Sequence, residues 1–314
     1  MTDYAALIGE RFPVRRTKAQ KQAFRDWLTA ELRGLGYAPR EEINGRVKAR
    51  NLLAGDPEKS AVLFVAHYDT PSRWLLPDLG FPRNIPLWIL WQLLHILLLL
   101  IPALAVYTAV WSLTGGNARL GLWGLVLTYA GLLCLSQFGP ANPVNRGEDA
   151  DLASLLTLMA SLPEEDRKKA AFLFADRGCT AGSGARAWAR EHPMPAYTRL
   201  TVAFARVGGG DRLLMAATDL AAKCTGFGSL TAALEKCEGL PLTRCSTRLC
   251  TVRGDRKSFR CGVSLTACRR APGVGLWYHG GRTPGDRRCD NVEAVSAALR
   301  AFLAGGKKDS GEQE

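Results

Sequence analysis

The sequence lacks several features that would assign it to a compartment or a cofactor. Its first sixteen residues, MTDYAALIGERFPVRR, contain no apolar h-region, so we expect no secretory signal peptide there. Nine cysteines are present, but none forms a C-x-x-C pair, and the spacings from Cys237 to Cys268 fit no common zinc motif. We therefore expect free thiols in a reducing compartment, without a structural zinc site.

Charge is missing from two long stretches in the middle of the chain. Neither 85–113 nor 120–138 contains Asp, Glu, Lys or Arg, and the link between them, TGGNAR, is typical of a tight turn. Each run meets the length of roughly 18–20 residues needed to cross the hydrocarbon core of a bilayer. A buried helical pair is the alternative, but the first run is longer and richer in leucine than a soluble core helix. The pattern predicts a transmembrane hairpin and makes the lipid bilayer a partner.

The positive charges flank this hairpin unevenly. Arg73, Arg83 and Arg146 lie outside it, and its short turn carries Arg119 alone. By the positive-inside tendency, the flanks and both termini are predicted to be cytoplasmic in a two-pass integral membrane protein.

Nucleic-acid binding is not favoured by the composition. The net charge is +12, but the basic residues are spread along the chain and are not clustered with aromatic residues. A basic solvated face, or attraction to an anionic leaflet, explains the excess better. A membrane or nucleic-acid interaction module remains a third functional class, and strong salt-dependent binding of DNA or RNA would favour it.

Outside the hairpin, buried strands alternate with amphipathic helices. Ala61–Thr70 (AVLFVAHYDT) reads as a buried central strand that ends in His67 and Asp69, where open α/β sheets place their ligands. The alternation predicts an α/β fold with a mostly parallel central sheet and helices on both faces. The predicted organisation has four parts: the first part of the domain at 1–82, the hairpin at 83–138, the second part of the same domain at 139–304, and a disordered tail at 305–314.

Five motifs follow one another in an order that is informative as a set. They are His67-x-Asp69, the segment 145–151 (NRGEDAD) before a helix, the strand end 172–181 (FLFADRGCTA), the strand end 203–211 (AFARVGGGD) and 282–286 (RTPGD). In order and spacing they resemble the co-catalytic di-zinc aminopeptidase family, which includes aminopeptidase Y and glutamate carboxypeptidase. The resemblance is greatest to a bacterial branch with a membrane hairpin after the first ligand strand.

The resemblance implies five zinc ligands, a bridging carboxylate among them, and a Glu that acts as general base. His67 fills the first ligand position, and Asp69 that of the carboxylate that orients it. The bridging Asp position falls on Gly147, or on Glu148 after a slip of one residue.

The remaining positions depart from the family pattern. Asp176 matches the Asp before the paired Glu residues, but Gly178 replaces the general base and Cys179 replaces the ligand Glu. Alignment on Gly182-Ser183 would instead put Asp176 and Arg177 at those two positions. The ligand Asp of the fourth motif is Ala205. Arg282 replaces the last ligand His and puts a permanent positive charge there.

Two functions follow from these departures. The first is a membrane-anchored pseudo-peptidase without a metal cofactor, which binds a peptide or protein ligand in the old cleft near Arg282. The second is an active zinc-dependent aminopeptidase with a rearranged site, in which zinc is bound by His67, Glu148, Cys179 and His279, residue types that zinc accepts. Asp176 or Glu148 would then act as the base.

Overall fold

The computed structural model describes residues 2–72, 78–140, 146–180, 182–252, 254–280 and 291–305. It describes the side chains of the same residues except 78, 137–138, 146–148 and 279–280. The predicted tail from residue 306 onward and Arg282 lie outside the described residues.

A mixed sheet runs through the centre of the molecule. The strands are β1 Arg40–Asn44, β2 Ala49–Ala54, β3 Val62–His67, β4 Asp78–Gly80, β5 Ala170–Ala175, β6 Leu200–Phe204, β7 Arg212–Ala217, β8 Leu242–Ser246, β9 Gly262–Ala271 and β10 Gly275–Gly280. Their order is β1-β2-β5-β3-β6-β9-β10-β4, with β7 pairing to β9 and β8.

The helices are distributed along the whole chain. They are α1 Tyr4–Arg11, α2 Lys18–Gly34, α3 Ile85–Leu113, α4 Ala118–Phe138, α5 Arg146–Ser161, α6 Glu164–Arg167, α7 Ser183–Glu191, α8 Pro193–Thr198, α9 Phe227–Glu235 and α10 Asn291–Gly305. Short 3₁₀ turns cover Ala221–Lys223, Thr247–Leu249 and Asp255–Ser258.

The centre of the sheet is parallel, as predicted, and the pairs outside it are antiparallel except that of β7 with β8. β3 pairs in parallel with β5 and β6, and β6 pairs in parallel with β9. β1, β2, β4 and β10 each make antiparallel pairs outside this centre. The ends of β3, β5 and β6 consequently lie together at one edge of the sheet, which we call the carboxyl edge; the opposite edge is the amino edge.

Both faces of the sheet are covered by helices, which confirms the predicted α/β class. Successive side chains of β3 point to opposite faces. Val62, Phe64 and Ala66 join the larger core with residues of α2, α5 and α10, whereas Leu63 and Val65 join a smaller core that includes Trp188 of α7. A strand that is apolar on both faces is what a central position in such a sheet requires.

The two charge-free runs form a helical hairpin. α3 and α4 have mean hydropathy of 2.4 and 1.6 over their most apolar stretches, and only 6% of either stretch is buried in the protein. Where the helices meet, Gly121 and Gly124 allow close approach: a Cβ on Gly121 would lie 3.0 Å from the Tyr107 ring. Two helices are thus long and apolar enough to cross a membrane.

The hairpin joins the rest of the molecule at the carboxyl edge. The Ser72 hydroxyl, five residues beyond the end of β3, donates to the carbonyl of Ser136 in α4. On the other side, the Thr251 N–H donates to the Pro82 carbonyl (2.9 Å), just before α3 begins. The end of β3 and the base of the hairpin are therefore neighbours.

A buried ion pair ties the segment before α2 to the helix that follows the hairpin. Arg15, which has no exposed side-chain area, contacts Asp149 of α5 at 2.6 Å. Its guanidinium also donates to the main-chain carbonyls of Tyr68 (2.6 Å) and Phe12 (2.7 Å). These bonds satisfy the buried cation, as a charge away from water requires.

Candidate functional site

The candidate site lies where β3 and β5 end. His67 is the last residue of β3 and pairs with Ala175, the last residue of β5. The loops that continue from these two strands, from Tyr68 and from Asp176, meet at the carboxyl edge. In an open α/β sheet this is the usual position for ligands.

His67 faces a carboxylate that the sequence motifs do not contain. The imidazole is 13% exposed, and its Nδ1 lies 3.3 Å from Oδ2 of Asp255, whose side chain is 2% exposed. The separation is that of an ion pair, although the two atoms lack hydrogen-bond alignment. Asp255 begins the 3₁₀ turn Asp255–Ser258, more than 180 residues away along the chain.

The pKa of His67 reflects these neighbours. Burial favours the neutral imidazole, but the nearby Cys179 sulfur and the Asp255 carboxylate together outweigh it. They raise the pKa of His67 well above its ordinary value. The site therefore favours an imidazolium.

Asp69 holds the turn that follows β5. Its Oδ1 accepts from the Gly178 N–H at 2.7 Å, and both carboxylate oxygens lie 3.3 Å from the Cys179 N–H. The carboxylate is 4% exposed, and burial raises the pKa of Asp69 above its ordinary range. In the structure, the Asp69 carboxylate therefore accepts hydrogen bonds from the main-chain N–H groups of that turn.

Two of the candidate ligands, His67 and Cys179, come together with Asp69, the residue that the resemblance makes the orienting carboxylate. The ligand atoms of His67, Asp69 and Cys179 all lie within 4.8 Å of one another. The Cys179 thiol also lies 3.3 Å from the main-chain oxygen of Asp69, to which it donates. Nitrogen, oxygen and sulfur donors are the set that zinc accepts, and three protein ligands suit a single ion.

Gly178 occupies the position of the family's general base, and it leaves no room for a side chain. A Cβ there would lie 2.1 Å from Cγ and 2.2 Å from Cβ of His67. These atoms are at the root of the imidazole, so a rotation of the ring would not relieve the overlap. His67 thus fills the space next to the main chain of residue 178.

Asp176 is bound by neighbours outside the site. Its Oδ1 lies 2.6 Å from Nζ of Lys21 on α2, and its Oδ2 accepts from the Arg50 N–H (3.3 Å). Its own N–H donates to Oδ1 of Asn51 (2.8 Å). The carboxylate therefore links β5 to α2 and β2.

Two non-glycine residues adopt left-handed backbone conformations at the carboxyl edge. Arg177 follows β5 with φ +54°, and Arg206 follows β6 with φ +69°. Each turn is held by a buried carboxylate: Asp69 binds the first, and Asp151 of α5 accepts from the N–H groups of Arg206 and Val207, both at 2.8 Å. Such conformations are costly and persist where the surroundings determine them.

The other predicted site residues lie away from His67, or their side chains are outside the described residues. Gly147 and Glu148 lie in the first turn of α5, and the Glu148 side chain is outside the described residues. His279 lies in β10 opposite Leu79, and its side chain is also outside them. Ala205 packs in a small apolar cluster with Leu214 and Tyr278.

Asp255 is the site residue that the sequence analysis missed. It lies in a loop segment, RGDRKS, with no apolar periodicity and no family motif. A single buried carboxylate in a polar segment carries no signal that distinguishes it from an exposed one. Only the fold brings it to His67.

Comparison with known proteins finds likeness at the level of structure only. No family model matches the chain, and no curated protein matches it. Glutaminyl cyclase from Porphyromonas gingivalis is similar, with a TM-score of 0.55, 12% identity, and coverage of 96% of this chain and 97% of that one.

Two further solved structures are similar to this chain. A leucine aminopeptidase precursor from Bacteroides thetaiotaomicron has a TM-score of 0.53 at 12% identity, with 96% of each chain covered. Glutaminyl cyclase from the same organism, bound to N-acetylhistamine, has a TM-score of 0.55 at 13% identity, with 96% and 97% covered. The chain therefore has the aminopeptidase-like fold, which these enzymes share.

Proposed function

We propose that this chain is a membrane-anchored binding protein, built on the aminopeptidase-like fold, that has lost the dinuclear zinc chemistry of the family it resembles. The observation that carries the proposal is the packing of His67. Its ring lies against Gly178, where the resemblance places the general base, and its Nδ1 lies 3.3 Å from the buried carboxylate of Asp255.

The donor set supports the same conclusion. A dinuclear site needs five ligands in the family pattern, whereas the described side chains cluster only three. Asp69, one of the three, is already bound to two main-chain N–H groups. The described residues do not fit two zinc ions, so no step of a two-metal hydrolysis is assigned to them.

The ligand we propose is a peptide, or a peptide segment of a protein, that binds at the carboxyl edge. The fold is shared with proteins named as an aminopeptidase and as glutaminyl cyclases, and the cleft at this edge is where such sheets bind ligands. Arg282 would offer a bidentate partner for a carboxylate of the ligand.

Membrane anchoring by the hairpin is part of the proposal. A core helix of a soluble protein is covered by its neighbours, whereas α3 and α4 expose leucines over most of their surface, among them Leu90 (61%) and Leu127 (66%). The uneven distribution of arginine around the hairpin supports cytoplasmic placement of the α/β part.

A second function is favoured by one observation, the cluster of His67, Asp69 and Cys179. These three residues would hold a single zinc ion, which would act as a Lewis acid on a bound carbonyl. Under this alternative the chain is a zinc-dependent hydrolase with a rearranged site.

Metal content and turnover, measured together, separate the two functions. We expect the full chain, purified in detergent without chelator, to contain far less than one equivalent of zinc and to leave aminoacyl amides intact. The matched variant Cys179→Ala should behave identically. One equivalent of zinc and turnover, both lost in Cys179→Ala, would contradict the proposal and support the zinc enzyme.

A further inference from the structure

A solvent-open cavity lies on the α7 face of the sheet, away from His67. Its volume is about 660 Å³, and its walls come from α7, the turn after β7, the 3₁₀ turn at 247–249 and the segment that leads into β9. Small-molecule sites commonly have volumes of roughly 300–1,000 Å³. The cavity is therefore large enough for a metabolite-sized ligand.

Positive charge dominates the lining of this cavity. The cationic side chains are Arg186, Arg190, Arg248, Lys257 and Arg260, and among the described residues that line the cavity only Asp219 is acidic. Asp219 lies 2.5 Å from Nη2 of Arg248, so this acidic lining residue is already paired with one of the cations. Four of the five cations are arginines, whose planar guanidinium groups bind phosphate oxygens in pairs.

Packing orients one of these cations, Arg260. Arg186 and Arg190 are four residues apart on α7 and therefore share one helix face. The Arg260 guanidinium carbon lies 4.5 Å from the centre of the Tyr197 ring, and the Arg260 N–H donates to the Ala196 carbonyl at 3.1 Å. A guanidinium stacked on an aromatic ring is oriented before any ligand arrives.

The rigid core beneath the cavity adds to this preorganisation. Trp188, between the two arginines of α7, is fully buried and packs against Phe259 with ring centres 6.2 Å apart. Like charges on one helix face repel each other. Arg186 and Arg190 are held on the same face of a rigidly packed helix, so they repel each other. An anion bound between them would offset this repulsion and stabilise the folded protein.

The position of the cavity argues for a ligand from the aqueous phase. Thr218 follows the last residue of β7, which runs antiparallel to β9, and its hydroxyl donates to the Arg260 carbonyl at 2.6 Å. Both residues consequently lie toward the amino edge. The contact between Ser72 and α4 lies at the carboxyl edge, so Thr218 and Arg260 are at the opposite end of the strands from it. Arg248 is the lining residue that comes nearest to the hairpin, three residues before Thr251, which donates to the Pro82 carbonyl.

We propose that this cavity is a binding site for a soluble phosphorylated small molecule, whose phosphate groups are held by Arg186, Arg190, Lys257 and Arg260. Tyr197, Leu220 and Phe259 also line the cavity and supply apolar contact area for the organic part of the ligand.

The test uses the full-length chain in detergent, with sodium pyrophosphate as the probe, in titration calorimetry at about 0.15 M salt. We expect saturable binding of one equivalent, and binding at least about tenfold weaker in the variant Arg190→Ala/Lys257→Ala. The control variant Lys18→Ala/Lys236→Ala removes the same charge from exposed positions outside the cavity and should bind like the natural chain. All four side chains are exposed, so folding should not change, and circular dichroism checks this.

Several results would overturn the proposal. Binding that does not saturate, or that falls equally in the control variant, would show a general effect of the +12 charge. A single-stranded oligonucleotide that displaces pyrophosphate with much higher affinity would indicate a nucleic-acid surface. Loss of pyrophosphate binding in nanodiscs of anionic lipid, with retention in neutral ones, would assign the cavity to lipid headgroups.

Discussion

At the scale of single residues, the site is shaped by the absence of a side chain at residue 178. The resemblance would place a glutamate there, and this chain has the glycine against which His67 packs. The histidine ring fills the space that a side chain at residue 178 would need. A larger residue at this position would therefore have to displace His67.

Gly178→Ala tests this packing. We expect the variant to lose about 1–3 kcal/mol of unfolding free energy, because its Cβ overlaps the root of His67 and the core must shift. Chemical denaturation in detergent measures the change. The matched variant Gly228→Ala lies in helix α9 with no atom within 4 Å of the added carbon, and it should be neutral or stabilising. Equal stability of the two variants would show that His67 does not occupy this space.

The sequence predicts the part of the site whose residues directly follow a buried strand. His67 and Asp69 follow a buried strand directly, so their place at the carboxyl edge can be derived from the strand itself. Cys179 follows β5 for the same reason. Asp255 reaches His67 through the packing of the 3₁₀ turn Asp255–Ser258 against α7, which no local pattern encodes.

At the scale of elements, the apolar segments are the ones that the sequence predicts well. The expected hairpin at 85–113 and 120–138 agrees with α3 and α4, and α2 begins directly after Thr17, whose hydroxyl accepts from the Gln20 N–H. The polar strands β1 and β8 were not predicted, because each is an edge strand without an apolar alternation. β1 and β8 adopt the extended conformation because they pair with β2 and β7, respectively.

The junction between the β1–β2 turn and α7 is a second element-level feature. Glu191, at the end of α7, accepts from Asn44 Nδ2 and from the Gly45 N–H, both at 2.7 Å. Gly45 has φ +66°, and a Cβ there would lie 2.9 Å from Ala187 Cβ, so the turn packs tightly on the helix. The hydrogen bond from Asn44, followed by that from Gly45, lowers the pKa of Glu191.

This junction predicts a dependence of stability on pH. A carboxylate whose pKa is lower in the folded state stabilises the fold above its unfolded pKa of 4.5, and that contribution is lost as the pH falls through the folded pKa. We expect Glu191→Gln to reduce the stability loss between pH 5 and more acidic values by less than about 1 kcal/mol, because the group is exposed. Urea midpoints at a series of pH values measure it. The exposed control Glu235→Gln should leave the slope unchanged, and an unaltered slope in Glu191→Gln would contradict the prediction.

At the scale of the whole molecule, the chain is one α/β sheet interrupted by an apolar hairpin. β3 precedes the hairpin and β5 follows it, yet the two strands are adjacent and parallel. The fold class could be predicted because strand burial and helix periodicity are local, while the antiparallel flanks depend on pairings between distant segments. β3 and β5 therefore pair at the centre of the sheet although the hairpin lies between them in the sequence.

At this scale, the property to test is which side of the membrane the hairpin turn and the α/β part occupy. We expect Thr114→Cys, in the exposed turn of the hairpin, to react with a membrane-impermeant maleimide in intact cells. The natural chain should react only after permeabilisation, because its cysteines outside the hairpin are predicted to be cytoplasmic. Gel-shift of the labelled chain measures both. Labelling of the natural chain in intact cells would reverse the topology, and recovery of the chain in the soluble fraction would exclude anchoring.

The bond between Ser72 and Ser136 has a consequence for how a ligand finds the cleft. Five residues separate His67 from Ser72, a span of at most about 18 Å, so an anchored hairpin keeps the candidate site within that reach of its own base. For a partner embedded in the same bilayer, encounter becomes a search in two dimensions at a local concentration far above that in the cell as a whole. Such a cleft needs little intrinsic affinity to remain occupied, and a pseudo-peptidase without catalysis would still be effective as a tethered receptor.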